Sequence, residues 1–299
     1  MRIAFIINSN STKSKKVFDT IRNHIKYEYK AFLTTEPGSA IAISAACIKD
    51  GYTHLAVLGG DGTINEVFNG MIRADKTADE LPILCIIPCG TGNDFARNFS
   101  LTADIQLFLQ RLDHGVTQYS DGGAVQFTNV KGEFEQRFFI NVMDIGLGGL
   151  IAQRVNEYRR GLLAFLSYQR SIVRTLPFYV KRCMTVRTSS IMHSGPAMSV
   201  VVANGKWFGN GLGIAPEAKY DDGQLNCVIL AKVNTWDYVW NLPAIIRCKP
   251  IKHKQVHYSR VKELIVEGDN NPIEIDGEFV GFSPAQIKVI PRTVRLLIG

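Results

Sequence analysis

The segment from Leu58 to Gly70, LGGDGTINEVFNG, decides how the first part of the chain folds. It follows an apolar run that predicts a buried strand, and it leads into a polar stretch with helical spacing. Glycine lets the backbone come close to a ligand, and successive N–H groups in such a turn bind anions at the start of the next helix. We expect this loop to hold nucleotide phosphates, although GGDGT alone also suits a plain hairpin turn.

The aspartate in this loop predicts a metal ion. Asp61 would repel a bound phosphate unless a divalent cation lay between them, and Mg²⁺ prefers one or two carboxylates together with phosphate oxygens and water. We therefore expect Asp61 to contact Mg²⁺, directly or indirectly. Thr63 is expected to cap the following helix or to donate to a phosphate.

A second loop of the same kind, PCGTGNDFARN, runs from Pro88 to Asn98 after the next apolar stretch. Ligands of parallel sheets gather at the carboxyl ends of the strands, so two such loops in one domain favour phosphate binding over two unrelated turns. Neither loop matches the Walker or the dinucleotide pattern, and the HRD and DFG signatures of protein kinases are absent from the sequence.

The pattern of apolar residues predicts two domains. Residues 1–121 alternate strand and helix patterns, which indicates an α/β nucleotide-binding domain with a parallel sheet. Residues 122–299 contain short strands separated by turns, which predicts an all-β, sandwich-like domain whose last strand is able to return to the first. A helical pattern at 148–176 interrupts it, either as a helix packed on the sandwich or as one wall of an apolar substrate cleft.

Composition and net charge limit the classes of binding partner and the cell compartment that we expect for this protein. The 299 residues include 34 Lys and Arg against 27 Asp and Glu, and a net charge of +7 suits a nucleotide, a nucleic acid or an acidic membrane surface. No nucleic-acid-binding module accompanies the charge, so we expect no nucleic acid partner. The six cysteines lack zinc or disulfide spacing, which favours a reducing cytoplasm. Without a signal peptide or a membrane-spanning run, we expect a cytoplasmic protein peripheral to the inner face of the membrane.

The two loops together resemble a known family. GGDGTINEVFNG followed by PCGTGNDFAR is similar to the catalytic domain of diacylglycerol kinases, in particular the soluble bacterial lipid kinases, and sphingosine kinases share the pattern. The resemblance covers most of the chain. It implies a lipid kinase that uses ATP and Mg²⁺, with the site in the cleft between an α/β domain and a C-terminal β-sandwich. We expect the acceptor to be diacylglycerol or a related lipid alcohol.

The resemblance also implies residue roles in the first domain. Asp61 and Asp94 would act in catalysis and hold Mg-ATP, and Asp121 would belong to the same metal network. The implied nucleotide contacts are Asn8, Ser11, Thr12, Thr35, Gly59, Gly60, Asp61, Gly62, Thr63, Asn65, Glu66, Gly90, Thr91 and Gly92. The loop after the first strand departs from the family's Asn-Pro-x-Ser-Gly, because residues 8–12 contain neither proline nor glycine. This departure bears on the geometry of the loop and on nucleotide preference.

Two segments of the second domain carry further expectations. In IEIDGEFVG, residues 273–281, Asp276 and Gly277 predict a hairpin turn, and the resemblance makes Glu278 the general base for the lipid hydroxyl. In residues 213–228 an Asp-Asp-Gly sequence predicts a type I turn. Bacterial relatives place a second, structural Mg²⁺ there, which implies the Asp222 side chain and the carbonyls of Lys219 and Gln224.

Several alternatives stay open. An NAD kinase shares GGDGT, although the residues after it disfavour that function, and a non-catalytic lipid- or nucleotide-binding regulator is disfavoured by the retained Asp61, Asp94 and Glu278. The run KPIKHKQVHYSRVK is a solvated basic face or a contact with anionic lipid, since its two histidines lack a third metal ligand. We also allow for a homodimer.

Overall fold

The computed structural model describes residues 1–157, 175–189, 192–268 and 270–299. The chain forms two compact units. Unit 1 comprises Met1–Asp121 and Pro291–Gly299, and unit 2 comprises Gly122–Ile290. Each unit has its own hydrophobic core.

Unit 1 is built on a parallel sheet. Its strands are β1 (Arg2–Asn8), β2 (Glu28–Thr34), β3 (His54–Gly59), β4 (Ile83–Pro88) and the end of the last strand, β17 (Glu278–Ile298). The strand order is β2-β1-β3-β4-β17, and β17 joins through the pairing of Leu296 with Leu84. The central strands β1, β3 and β4 are almost entirely apolar and buried, as expected where helices cover both faces of a parallel sheet.

Five helices follow these strands in unit 1. They are α1 (Thr12–Ile21), α2 (Ser39–Lys49), α3 (Asp61–Ile72), α4 (Asp94–Arg97) and α5 (Ile105–His114). The side chains of Ser11 and Asp104 cap α1 and α5 by accepting hydrogen bonds from the backbone N–H groups of Ser14 and Leu107. The predicted α/β fold with a parallel sheet is confirmed.

Unit 2 is rich in antiparallel strands. They are β5 (Val116–Asn129, which begins in unit 1), β6 (Phe134–Phe139), β7 (Val142–Gly146), β8 (Arg182–Arg187), β9 (Met192–Ala197), β10 (Ser199–Ala203), β11 (Trp207–Phe208), β12 (Leu212–Gly213), β13 (Leu225–Leu230), β14 (Val256–Val261), β15 (Glu263–Glu267) and β16 (Pro272–Ile275). One antiparallel run has the order β14-β13-β10-β7-β16-β17, and β17 also pairs with β15, which leads to β8 and β9.

The pleat of β10 shows how this sheet is buried on both faces. Val200 and Val202 point into a core shared with β5, β8 and β15, whereas Val201 and Ala203 pack on the opposite side with α6 (Leu147–Glu157) and α7 (Thr235–Ile246). The sandwich-like second domain is thus confirmed. The predicted helix at 148–176 corresponds at its start to α6, and its residues 158–174 lie outside the described residues.

In unit 2, one strand prediction was wrong and one helix was missed. The apolar pattern of GEFEQRFFINVM, residues 132–143, predicts one of the short strands, but β6 ends at Phe139 and β7 begins at Val142, because the N–H groups between them donate to the side chain of Asp276. Helix α7 was not predicted, since Trp, Tyr, Val and Ile in TWDYVWNLPAII favour strands. A capping box between Asn234 and Asp237 starts this helix nevertheless.

Candidate active site

The carboxyl ends of four parallel strands lie at one edge of the sheet in unit 1. Strands β1 to β4 end at Asn8, Thr34, Gly59 and Pro88, and both glycine loops begin at this edge. The backbone N–H of Cys89 donates to the carbonyl of Gly59, so the loops leave the sheet side by side. The fold therefore brings together the two segments that the sequence predicts to bind phosphate.

The two loops touch through their backbones. A Cβ placed on Gly90 would lie 2.4 Å from the Cα of Gly60, and a Cβ on Gly60 would lie 3.1 Å from the Cα of Gly90. No side chain fits at Gly90, because contacts shorter than about 3 Å force the backbone apart. Asn93 fixes the turn, since its Oδ1 accepts from the N–H of Gly90 and its Nδ2 donates to the carbonyl of Gly90.

Asp61 links the two loops. Its Oδ2 accepts a hydrogen bond from the N–H of Asp94 at 3.2 Å, and its Oδ1 accepts one from the N–H of Phe95 at 3.0 Å. The carboxylate of Asp61 thus lies at the start of α4, where backbone N–H groups stabilise negative charge. The sequence had suggested a cation as the reason for an acidic residue here, and these two N–H donors supply a reason of their own.

Asp94 is the second acidic residue of this cluster. Its side chain is buried, and its Oδ1 lies 3.9 Å from Nε of Arg97. The backbone of Asp94 thus contacts the carboxylate of Asp61, and a shared role of the two residues around Mg-ATP stays a prediction. Within the described residues, no group of three or more His, Cys, Asp or Glu side chains converges on a metal position.

The loop after β1 reaches the same region. Asn8 donates through Nδ2 to Oγ1 of Thr63 at 3.2 Å, and its Oδ1 accepts from the N–H of Asn10. The side chain of Ser11 caps α1, and Thr12 is the first residue of that helix. The missing proline and glycine are thus replaced by a turn that side-chain hydrogen bonds hold.

Other predicted contacts have local structural tasks. Glu66 accepts hydrogen bonds from the N–H groups of Gly38 and Ala40, which ties α3 to the start of α2. The N–H of Thr35, in the same loop, donates to Oγ of Ser39. Asn65 accepts from Asn69 on the next turn of α3. Thr91 is exposed beside partly exposed Gly92, so the hydroxyl of Thr91 is open to a ligand.

Asp121 is buried at the end of unit 1, where its Oδ1 accepts a hydrogen bond of 2.7 Å from the N–H of Arg292. The guanidinium carbon of Arg292 lies 3.7 Å from the ring centroid of Tyr119. These contacts hold the start of the returning segment Pro291–Gly299 against β5. The described hydrogen bond gives Asp121 a structural task, and its metal role stays a prediction.

In unit 2, the predicted hairpin lies between β16 and β17. Asp276 and Gly277 both have positive φ, 46° and 91°, as a tight hairpin turn requires. Asp276 is buried and accepts hydrogen bonds from the N–H groups of Ile140, Asn141 and Val142. Glu278 follows this turn as the first residue of β17 and is partly buried.

The Asp-Asp-Gly segment of unit 2 contains a carboxylate oxygen that accepts no hydrogen bond from the described residues. Oδ1 of Asp222 accepts from the N–H of Gln224 at 3.1 Å, whereas its Oδ2 is buried and has no hydrogen-bond partner among the described residues. Buried carboxylate oxygens are normally paired or bound to a metal. This oxygen therefore fits the predicted cation position that Asp222 would share with the carbonyls of Lys219 and Gln224.

Two family models match the chain. The model described as the diacylglycerol kinase catalytic domain matches residues 2–125, and the one described as the YegS C-terminal NAD kinase beta sandwich-like domain matches residues 141–298, more than half of the chain. The chain belongs to the diacylglycerol kinase family. It is therefore an enzyme, a lipid kinase of the diacylglycerol kinase type.

Relatives of this lipid kinase span nearly its whole length. It is 27% identical over 298 residues to a diacylglycerol kinase of Staphylococcus carnosus (strain TM300), which covers 96% of this chain and 92% of that relative. It is 26% identical over 275 residues to a diacylglycerol kinase of Bacillus subtilis (strain 168), and the match covers 91% of this chain and 86% of that relative.

Solved structures share the fold of the kinase. A diacylglycerol kinase from Bacillus anthracis strain Sterne superposes with a TM-score of 0.70 at 18% identity, covering 100% of this chain and 96% of that one. Yeast NADH kinase complexed with NADH superposes with a TM-score of 0.55 at 11% identity, covering 100% of this chain and 84% of that one. The likeness to NADH kinase is one of fold alone, and the family models favour the lipid kinase over the NAD kinase alternative. Among the described residues, no helix is long and apolar enough to cross a bilayer.

The sequence prediction missed one buried acid of the kinase. Asp144, on β7, lines a cavity of unit 2 whose walls are otherwise mostly apolar and include Ile151, Val201 and Ile245. Burial raises the pKa of Asp144 to about 7, against hydrogen bonds from Ser199 and Gly148 that lower it. Its Oδ1 has no hydrogen-bond partner among the described residues. A lone acid inside the apolar run FINVMDIG was the available signal.

Proposed function

We propose that this lipid kinase transfers the γ-phosphate of ATP, in the presence of Mg²⁺, to the hydroxyl of diacylglycerol or a related lipid alcohol. The observation that carries the proposal is the pair of glycine loops, which touch at Gly60 and Gly90 and are joined by Asp61. The family supports a lipid as acceptor and ATP as the phosphate donor.

The nucleotide contacts rest on backbone N–H groups. Because Gly60 and Gly90 carry no side chains of their own, the two loops come close together, and the remaining backbone N–H groups of both loops are the proposed anion donors. The starts of α3 and α4 add partial positive charge at the same edge. Phosphates would bind along Gly60–Glu66 and Gly90–Gly92, with the exposed hydroxyl of Thr91 as a further donor.

The acidic residues suit a magnesium ion carried by the nucleotide. The carboxylate of Asp61 contacts the backbone N–H of Asp94, so both acidic residues lie at the start of α4, and Mg²⁺ in kinases is bound by one or two carboxylates and the substrate phosphates. Bound there, the ion would neutralise charge on the phosphates during transfer. The two backbone N–H groups that donate to Asp61 keep its carboxylate oriented.

Glu278 is the proposed general base. Phosphoryl transfer needs little from protein groups beyond positioning, neutralisation of charge and a base near the attacking hydroxyl. The hairpin turn that precedes Glu278 is held by three hydrogen bonds to Asp276, so the backbone at this position is well fixed. A partly buried carboxylate there is able to accept the proton of a lipid hydroxyl.

The test is transfer of label from γ-labelled ATP to a panel of lipid alcohols in mixed micelles, with and without Mg²⁺. We expect labelled diacylglycerol or a close analogue with the wild-type enzyme. Glu278→Gln is expected to lower kcat by about 10²- to 10⁴-fold while ATP affinity stays unchanged. Asp61→Asn, which keeps one acceptor oxygen, is expected to weaken Mg-ATP binding as well. Asp19→Asn, an exposed change on α1, serves as the control.

The outcomes separate the alternatives. Full lipid phosphorylation by Glu278→Gln would contradict the role of Glu278 as the general base. ATP binding without label on any lipid would favour the non-catalytic regulator. Transfer to NAD would favour the NAD kinase.

A further inference from the structure

Helix α7 of unit 2 is apolar on both of its sides. Its inner side packs into the core through Tyr238, Leu242 and Ile245. A surface helix normally turns charged or polar residues outward, whereas a helix that is apolar all round is covered on both sides. The outer side of α7 therefore raises the question of what covers it.

The outward residues of α7 form one helical stripe. Trp236, Val239, Trp240, Pro243 and Ile246 follow each other at spacings of three and four residues, and all are exposed. The exposed fractions of Trp236 and Trp240 are 72% and 81%. We call these five residues the α7 outer face. Two neighbouring, largely exposed tryptophans are unusual on a protein surface that faces only water.

Positive charge is concentrated around this helix. Residues 232–262 contain seven basic residues and one acidic residue, whereas the other 268 residues contain 27 basic and 26 acidic ones. Nearly the whole net charge of the chain therefore lies in this segment. Arg247, Lys249, Lys252 and Lys254 are exposed.

The acidic residue of the segment is already engaged. Asp237 closes the capping box of α7 with Asn234, and its Oδ1 lies 3.7 Å from Nε2 of His253. This second contact also places Lys252 and Lys254, the neighbours of His253, beside the first turn of α7. Basic residues thus lie near both ends of the helix. Lys252 and Lys254 lie beside its first turn, and Arg247 and Lys249 come shortly after its last residue.

We propose that the α7 outer face and the surrounding basic residues form a membrane-docking surface that binds anionic bilayers. Tryptophan is enriched where bilayer meets water, because its ring is apolar and its N–H remains able to bond to water or headgroups. Amphipathic helices with Trp on one side and Lys or Arg nearby lie in the plane of the interface. Basic residues near the surface add attraction to anionic lipid. The inference goes beyond phosphoryl transfer and is independent of which lipid is phosphorylated.

The charge pattern decides against a second copy of the chain. A symmetric dimer through this surface would bring two strongly basic segments together, and like charges facing each other are unfavourable. An anionic bilayer supplies the opposite charge over an extended area. The bilayer is therefore the occupant that both the tryptophans and the lysines favour.

The first experiment is co-sedimentation of the full chain with phosphatidylcholine vesicles, with and without phosphatidylglycerol. We expect binding that needs phosphatidylglycerol and that weakens as salt is raised. The variant W236A/W240A is expected to bind at least about tenfold more weakly. K249Q/K252Q/K254Q is expected to lose on the order of a hundredfold, at roughly fivefold per lysine.

Matched controls are available in the chain. Phe134→Ala removes an equally exposed aromatic residue from β6, and K13Q/K15Q/K16Q removes three exposed lysines from α1 of unit 1. Both controls are expected to bind vesicles like the wild type. Phosphorylation of a lipid in detergent micelles is expected to be unchanged in W236A/W240A, so failure of docking and failure of the kinase remain distinguishable.

A readout on the unmutated chain guards against misfolded variants. The three tryptophans are Trp207, Trp236 and Trp240, and bromine-labelled phosphatidylglycerol in the vesicles is expected to quench their fluorescence. Absence of quenching, or equal vesicle binding by W236A/W240A and Phe134→Ala, would overturn the proposal. A dimer in solution that W236A/W240A converts to monomer would also overturn it, in favour of a second copy.

Discussion

At the scale of single residues, Asp61 has an observed structural role and a proposed catalytic one. The sequence predicted a metal contact from the position of this charge in a phosphate-binding loop, and the family resemblance implied the same. The structure adds two backbone N–H donors that join the glycine loops through this carboxylate. Both tasks need the same negative charge, so loss of activity on mutation does not separate them. Measuring ATP binding by Asp61→Asn with and without Mg²⁺ separates the two roles, because only the metal role predicts a loss of binding that depends on Mg²⁺.

Asp144 allows a prediction about stability and pH. Its pKa is raised from 3.8 to about 7, so between these values the folded state binds a proton that the unfolded state releases. Stability therefore falls as pH rises from about 4 to 7, and the full cost applies above pH 7. Asp144→Asn removes this cost and is expected to stabilise the protein at pH 8 by at most about 4 kcal/mol.

The measurement for Asp144 is urea unfolding of both proteins at pH 4.5 and pH 8. The difference in unfolding free energy should be small at the lower pH and grow at the higher one. Asp121→Asn is the contrasting variant, because it replaces the charged acceptor of a backbone N–H by a weaker neutral one, and it should destabilise at pH 8. A pH-independent difference for Asp144→Asn would contradict the raised pKa.

At the scale of elements, the contact between the two loops predicts the effect of Gly90→Ala. The new methyl group would lie 2.4 Å from the Cα of Gly60, so the loops must separate and the N–H groups must move. ATP affinity, measured by equilibrium dialysis, should fall by at least about tenfold, while unit 2 is unaffected. Gly132→Ala is the control, since nothing lies within 4 Å there and only its positive φ is strained.

The hairpin between β16 and β17 gives a prediction in unit 2. Asp276→Ala leaves the N–H groups of Ile140, Asn141 and Val142 without their acceptor and should destabilise unit 2 by about 3 kcal/mol or more. Asp276→Asn keeps an oxygen and should cost less. Urea unfolding followed by tryptophan fluorescence reports the difference, and equal effects of the two changes would contradict the role of the acceptor.

Elements also show what the sequence was able to predict. Buried parallel strands and both loops were recognisable, because apolar runs ending in glycine specify them locally. Helix α7 was not, because its residues favour strands and its start depends on the pairing of Asn234 with Asp237. The burial of Asp144 and the hydrogen bonds to Asp276 depend on strands that are distant in sequence. The apolar run around Asp144 is a local signal of its burial, whereas no local pattern reports the hydrogen bonds to Asp276.

At the scale of the whole molecule, unit 1 is discontinuous in sequence. The segment Pro291–Gly299 belongs to it, and Leu296 pairs with Leu84 although unit 2 lies between them along the chain. Val294 and Leu296 are fully buried. The core of unit 1 is therefore complete only after the last residues have been added, and this long-range closure is expected to slow folding.

This arrangement predicts that a change near the C-terminus weakens nucleotide binding. Leu296→Ala should destabilise unit 1 by about 2–5 kcal/mol, because it leaves a cavity beside β4, the strand that carries the second glycine loop. Val116→Ala, at an exposed position of β5, should change stability by less than about 0.5 kcal/mol. Thermal unfolding with and without Mg-ATP measures both effects. Equal melting temperatures of Leu296→Ala and wild type, both without ligand and with Mg-ATP, would contradict this prediction.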